Sequence, residues 1–393
     1  MSDNCGTNIC VIVGDHSADL HASKIFRKLK TIAPELTVWG AGGDAMKDSG
    51  VELIAHLSDY TVIGIVEGLR VLPVLKKLRE KLLQEIEARK PSLVLLIDFS
   101  GFNLHLAKTI KHKFPNLPIY YFISPQVWGS RPWRMNTIKA TIDKMLVIFP
   151  FEESLYNSKG ISSRFVGHPL TTSEYTPLVL PAEEFFAKHG LDPKKPLITI
   201  MPGSRRTEIR RHMPVVIQAI NWLAELKPDV QFALSIGSDD LQSRIKDSIN
   251  RSPAGKLMGS RLVLIKACEN RDAMRACKLV WAKSGTTALE VTLEGKPMLI
   301  FYRADWLSYF LFLLFKRVRR VAWPNLLAGK ELVPELFQLD CRAEKLVRYT
   351  IDLFEVPGLE REISSELLAL RAQLGEGNFV ENCAQELLAK TRS

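Results

Sequence analysis

Three short stretches of the chain combine residue types that can do chemistry at spacings that bring them together. In "LVLLIDFSGFN", Leu93 to Asn103, five aliphatic residues run directly into Asp98. A run that apolar reads as a strand buried on both faces. A carboxylate at the end of such a strand can take a proton from a bound alcohol. In "MPGSRRTEI", Pro202-Gly203-Ser204 forms a tight turn and Arg205 stands at a helix start, where an anion meets both the guanidinium and unpaired amides. In "AKSGTTALE", Ser284, Gly285, Thr286 and Thr287 cap a helix, and Glu290 follows one turn later on the same face, placed to accept the two hydroxyls of a ribose. A fourth stretch, "GDHSADLHA", sets Gly14, His16 and Ser17 at a strand-to-helix junction. It suits a phosphate or sugar, and it suits equally an ordinary turn with Asp15 or Ser17 as the N-cap.

These groups need a scaffold that gathers strand ends. The first half alternates apolar runs with helical patterns: a strand over 9–13, a helix over 19–30, a strand in "TVWGAGG", a charged amphipathic helix over 71–89, then Leu93 to Ile97, a helix in "HLAKTIKHKF", and strands in "PIYYFIS" and "KMLVIF". Alternation of this kind predicts βαβ units around a parallel sheet. The stretch "GHPLTTSEYTPLVLP" has no helical period and reads as a linker. Beyond it the alternation restarts with "LITIM", "VQFALSI", "LVLIKA", "LVWAK" and "PMLIFYR". The chain is thus predicted to be α/β, with Rossmann-like domains over 1–172 and 173–355. Two helices over 356–393 can pack back on either half, the N-terminal domain included. Ligands of open α/β sheets bind beyond the carboxyl ends of the strands, so the expected site is a cleft between two domains facing each other, with Asp98 at its lip.

The 393 residues suffice for two domains with sizeable cores, and 46% hydrophobic with 24% charged residues is a globular composition. The six cysteines are scattered without metal-binding spacing and read as reduced thiols of a cytosolic protein. The short polar N-terminus is not a secretory signal. The net charge of +10 admits nucleic acid, an anionic membrane or a phosphorylated substrate as partner. Without a zinc-finger spacing or an aromatic RNA-binding signature, nucleic acid ranks last. The basic residues cluster at 205–211 and in "KRVRR", 316–320, which closes the apolar stretch "DWLSYFLFLLF". At roughly ten residues that stretch is too short to span a bilayer, which takes about 20. It suits a helix lying at a membrane surface, or a buried helix with a basic last turn. "TVIGIVEGLRVLPVLKKL", 61–78, is a second apolar-then-basic candidate. No D-x-D metal motif, no G-x-x-x-x-G-K-[ST] loop and no complete G-x-G-x-x-G fingerprint occurs, so no cofactor is expected.

Across almost the whole chain, "GDHSAD", "TVIGIVEGL", "IDFSGFN", "ISPQVWGSR", "FPFE", "VGHPL", "PGSRRTEI", "SGTTALE" and "PNLLAGKELVPELFQ" occur in this order. Together they resemble the lipid-A-disaccharide synthases, inverting glycosyltransferases of GT-B architecture. The resemblance implies transfer of 2,3-diacylglucosamine from UDP-2,3-diacylglucosamine to 2,3-diacylglucosamine 1-phosphate (lipid X), giving the β-1,6 disaccharide and UDP. It implies Asp98 as general base for the acceptor's 6-hydroxyl. The donor set it implies is Gly203, Ser204, Arg205, Glu208, Ser284, Gly285, Thr286, Thr287, Glu290 and Asn325. The acceptor side would include Gly14, His16, Ser17, Asn103, Gln126, Trp128 and Arg131. It implies a cytoplasmic enzyme, peripheral on the inner face of the inner membrane, and admits a homodimer that exchanges C-terminal segments. The chain departs from the family's usual pattern at Asp15 and Ala18, at Gly129-Ser130 and at Gly101. Rival readings are a UDP-sugar 2-epimerase and a non-catalytic UDP-sugar-binding protein.

Overall fold

The computed structural model describes residues 8–60, 65–172, 180–315 and 320–391. The chain divides into two compact units, Met1–Tyr175 with Leu374–Ser393, and Thr176–Gln373.

The first unit is built on a seven-stranded parallel sheet. Its strands are β1 (Asn8–Val13), β2 (Thr37–Gly42), β3 (Glu52–His56), β4 (Leu93–Ile97), β5 (Ile119–Phe122), β6 (Lys144–Val147) and β7 (Ser163–Phe165), in the spatial order β3-β2-β1-β4-β5-β6-β7. The chain winds outward from β1 on one side, then crosses back and winds outward from β4 on the other. Residues 9–13 and 93–97 are at most 1% exposed, because helices cover both faces of the sheet centre. Val13 lies opposite Ile97 in the β1–β4 register, so Gly14 and Asp98 leave the sheet side by side.

The second unit repeats the plan with β8 (Leu197–Met201), β9 (Gln231–Ile236), β10 (Leu262–Lys266), β11 (Leu279–Lys283), β12 (Met298–Tyr302) and β13 (Glu335–Phe337), ordered β10-β9-β8-β11-β12-β13. Here the winding direction changes between β8 and β11, where Met201 lies opposite Ala282. The turns after Met201 and after Lys283 are therefore neighbours at the same kind of switch point.

The two last helices go to different units. Leu359–Gln373 packs on the Thr286–Leu293 helix of the second unit. Phe379–Thr391 packs on the His16–Ile32 helix of the first, burying Phe379 completely against Phe122 and His21 at ring separations of 6.1 Å. There Glu386 takes ion pairs from Lys144 and, at 3.1 Å, from Arg164. The helix expected from Val71 begins at Ile65 and runs to Arg89 through Pro73. Residues 61–64 of that apolar stretch and 173–179 of the linker lie outside the described residues, as do 316–319 of "KRVRR".

Candidate functional site

In the first unit the switch point is shaped by an unusual corner. Asp98 and Phe99 both adopt left-handed backbone, with φ of 46° and 47°. This costs a residue with a Cβ about 1–2 kcal/mol, and such strain gathers at functional sites. Four bonds hold the corner. The Asp98 amide donates to Phe122 O at 3.0 Å. The Asp98 carbonyl accepts from the Tyr121 hydroxyl and, at 2.9 Å, from Asn103 Nδ2. The Asn103 amide returns to Phe99 O at 2.9 Å. Gly14 is needed beside it, because a Cβ there would stand 2.0 Å from the Phe99 ring. The backbone is thus tied down while the carboxyl of Asp98 stays half-buried at the strand end. Burial, and then the charge of Asp15, push its pKa up from 3.8 to about 6.

Asp15 is the N-cap of the His16–Ile32 helix, accepting from the Ala18 amide at 2.8 Å, which decides between the two candidates for that role. His16 and Ser17 are exposed in the first turn. Asp19 turns inward and caps a different helix, accepting from the Gly43, Ala45 and Met46 amides at 2.7, 3.0 and 3.3 Å. On the loop after β5, Gln126 is exposed and Trp128 Nε1 donates to Glu152 at 3.2 Å. Glu152 is 2% exposed, and burial raises its pKa to about 7. Arg131 is exposed with φ of 53°.

In the second unit a cavity of about 440 Å³ opens at the β8–β11 switch point, with Arg205, Glu208, Ser284 and Gly285 on its wall. Glu208 organises it. It accepts from the Ser204 and Arg205 amides at 3.1 and 3.3 Å and from Lys283 Nζ at 3.2 Å. Burial alone would raise its pKa, but Lys283 and the two amides outweigh that and hold it low. Gly203 has φ of 119°, and a Cβ on it would lie 2.3 Å from the Glu208 carboxylate. The Arg205 side chain is 73% exposed. His212, fully buried, accepts from the Arg303 amide on Nε2 at 3.0 Å, so its Nδ1 carries the proton and donates to Pro202 O at 2.6 Å. Burial lowers its pKa and keeps it neutral. It thereby fixes the turn after β8 to the segment after β12. Lys283, Tyr302, Phe337 and Gln338 also stand on the cavity wall.

Not every expected donor residue reaches that cavity. Thr286, Thr287 and Glu290 stand on the adjoining Thr286–Leu293 helix but do not line it. Their side chains have no hydrogen-bond partner among the described residues, and burial raises the pKa of Glu290 against the opposing charges of Arg271 and Lys283. Asn325 and Asn103 lie inside their units, away from the cavity wall. Asn325 is fully buried, donating to Val333 O and Glu335 at 2.8 Å and accepting from the Leu332 and Val333 amides at 2.7 and 2.9 Å. Its amide is saturated by the loop it stabilises. Asn103 is also fully buried and supports the Asp98 corner instead of lining an open surface.

The apolar stretch forms the Trp306–Phe315 helix, with Trp306, Phe310 and Leu314 each 65% exposed. Their four-residue spacing puts them on one face. No helix among the described residues is long and apolar enough to cross a membrane.

A family model described as lipid-A-disaccharide synthetase matches residues 9–387. Lipid-A-disaccharide synthase 1 of Legionella pneumophila (strain Lens) is 33% identical over 373 residues, covering 94% of this chain and 93% of that protein. The lipid-A-disaccharide synthase of Geobacter sulfurreducens is 32% identical over 386 residues, covering 98% and 97%. Among solved structures, the UDP-GlcNAc 2-epimerase from Neisseria meningitidis bound to UDP-GlcNAc matches with a TM-score of 0.64 at 12% identity, over 98% of this chain and all of that one. The glycotransferase of kitacinnamycin matches with a TM-score of 0.61 at 13% identity, over 98% and 99%. These distant likenesses show the fold: two parallel-sheet α/β domains of the GT-B type.

Proposed function

We propose one reaction for this chain, which belongs to the lipid-A-disaccharide synthase family and is a glycosyltransferase of lipid A biosynthesis. It transfers 2,3-diacylglucosamine from its UDP derivative to the 6-hydroxyl of 2,3-diacylglucosamine 1-phosphate. Asp98 takes the hydroxyl proton, the oxygen attacks the anomeric carbon, and the bond to the diphosphate breaks with its electron pair leaving on UDP. One displacement inverts the anomeric centre and gives a β-1,6 linkage. A carboxylate whose pKa is raised is a stronger base than an ordinary one, and at pH 7.5 it is still mostly ionised. The observation that carries the assignment is this half-buried, elevated Asp98 at the β1–β4 switch point.

UDP is assigned to the second unit's cavity, its diphosphate against Arg205 and the amides of the turns at Ser204 and Gly285, which stabilise the charge that develops on the leaving group. Tyr302 and Phe337 offer aromatic wall for the base. Thr286, Thr287 and Glu290, uncommitted at the adjoining helix start, are the proposed contacts for the ribose and the donor sugar. Incubating the protein with both lipid substrates tests the reading. The expected products are UDP and a disaccharide 1-phosphate with a β anomeric proton; release of UDP alone, or epimerised donor, would refute it.

Both substrates carry acyl chains, so the exposed face of the Trp306–Phe315 helix is proposed to sit in the membrane surface. A ten-residue helix is about 15 Å long, half the hydrocarbon thickness, and lies in the interface. Replacing Trp306 and Phe310 with Ser should lower partitioning onto anionic vesicles roughly 100-fold or more, given about 1.5–3 kcal/mol for each buried large side chain. Unchanged partitioning would place the docking surface elsewhere.

A further inference from the structure

The first unit holds a second concave surface, of about 380 Å³, between the Ser100–Lys113 helix and the segment leading into the Arg134–Thr141 helix. Its walls carry Lys108, Arg131, Arg134 and His105, with Trp133, 55% exposed, beside them. No carboxylate neutralises them: among the described residues Lys108, Arg131 and Arg134 make no ion pair, and the only side-chain hydrogen bond of Arg134 is to Ser100 Oγ, at 2.8 Å. Arg134 is half-buried, and burial together with the charge of Arg131 disfavours its cationic form. Two guanidiniums three residues apart, one of them partly desolvated, repel unless an anion comes between them. Arg131 is moreover held in left-handed backbone, a conformation kept where the surroundings impose it. The floor is open at Gly101, where a Cβ would meet nothing within 4 Å. Ser100 and Gly101 line the cavity only two and three residues beyond Asp98.

We propose that this cavity binds the phosphate monoester of the sugar acceptor through Arg131, Arg134 and Lys108, and so presents the acceptor's hydroxyl to Asp98. The chemistry fits. A phosphate monoester carries a charge near −2 at neutral pH and has three acceptor oxygens, which match guanidinium forks. The first amides of the Ser100–Lys113 helix add donors of the same sign. Trp133 supplies an apolar wall beside the phosphate. The proposal rests on the glycosyl-transfer reading and extends it to the mode of acceptor recognition.

The test compares two acceptors, 2,3-diacylglucosamine with and without its 1-phosphate, in wild type, Arg134→Gln and Lys108→Gln. Wild type should favour the phosphorylated acceptor. Arg134→Gln should lower kcat/KM for that acceptor roughly 10- to 100-fold, the range for losing a hydrogen bond to a charged group. The dephosphorylated acceptor and the donor KM should be unaffected. Lys108 is exposed, so Lys108→Gln should fold normally and shift the ratio in the same direction by less. Equal slowing of both acceptors would overturn the proposal, pointing to a structural role or to a membrane phospholipid as the anion. An unchanged preference would also overturn it. Transfer to neither acceptor by wild type would instead remove the glycosyl-transfer reading on which it rests.

Discussion

The two switch points share a topology and invert each other's electrostatics. Between β1 and β4, Asp98 has Asp15 as its charged neighbour, and burial and like charge raise its pKa. Between β8 and β11, Glu208 is also buried, yet Lys283 and two amides hold it ionised. One carboxylate is held close to its protonated form; the other is bonded into the turn at Ser204 and Arg205, which in the proposed reading meets the diphosphate. The parallel sheet decides where a ligand can sit, and on the proposed reading the neighbours of one acid decide whether that place suits proton transfer or anion binding.

This contrast can be broken from either side. The largest effect on stability is expected from Glu208→Gln, which leaves Lys283 without its partner. Thermal or denaturant unfolding should show a loss of about 3 kcal/mol at pH 7, the lower end for breaking a buried pair. Because the folded-state pKa of Glu208 is depressed, its contribution is present above the ordinary value of 4.5 and is lost as pH falls through the folded value. The deficit of the variant should therefore shrink in acid; a pH-independent deficit would deny the ion pair its role.

Asp98→Asn should act in the opposite direction. A folded pKa near 6 against 3.8 means that ionised Asp98 opposes folding, so wild type loses stability as pH rises from about 4 to about 6. The full shift corresponds to at most about 3 kcal/mol, and partial exposure reduces it to about 1–2 kcal/mol. Asparagine also tolerates the left-handed backbone at this position. A variant more stable than wild type at pH 7.5 is expected; a less stable one would contradict the contrast. The smallest effect is expected from Asp15→Asn, which keeps a competent helix cap. Removing the like charge should move the acidic limb of kcat/KM down from about pH 6 by a few tenths, since burial is the larger cause. An upward move would show that Asp15 does not act on Asp98 by charge.

The sheet centres were legible because they are apolar on both faces: "LVLLI" and "LITIM" are β4 and β8, residue for residue. The edge strands β3, β7 and β13 were not, since an edge is half-solvated and short runs such as "SRF" carry no period. The expected helix at Asp19 starts at His16, because Asp15 caps it. Within the candidate site, Asp98 and the turn at 202–205 stood out because they follow those central strands directly. Lys283 and His212 did not: Lys283 reaches Glu208 from 75 positions away, and His212 is joined to Arg303 across 91. Asn103 and Asn325 show the limit of a motif, which marks a residue as needed without saying whether its amide faces a ligand or its own backbone.

Removal of the acceptor's proton by Asp98 is tested most directly by single-turnover transfer with Asp98→Ala, with UDP affinity measured on the same sample. The expected result is a fall in rate of about 10²–10⁴-fold with the UDP Kd within a factor of two of wild type. Transfer at a near-normal rate, with UDP still bound, would contradict the account.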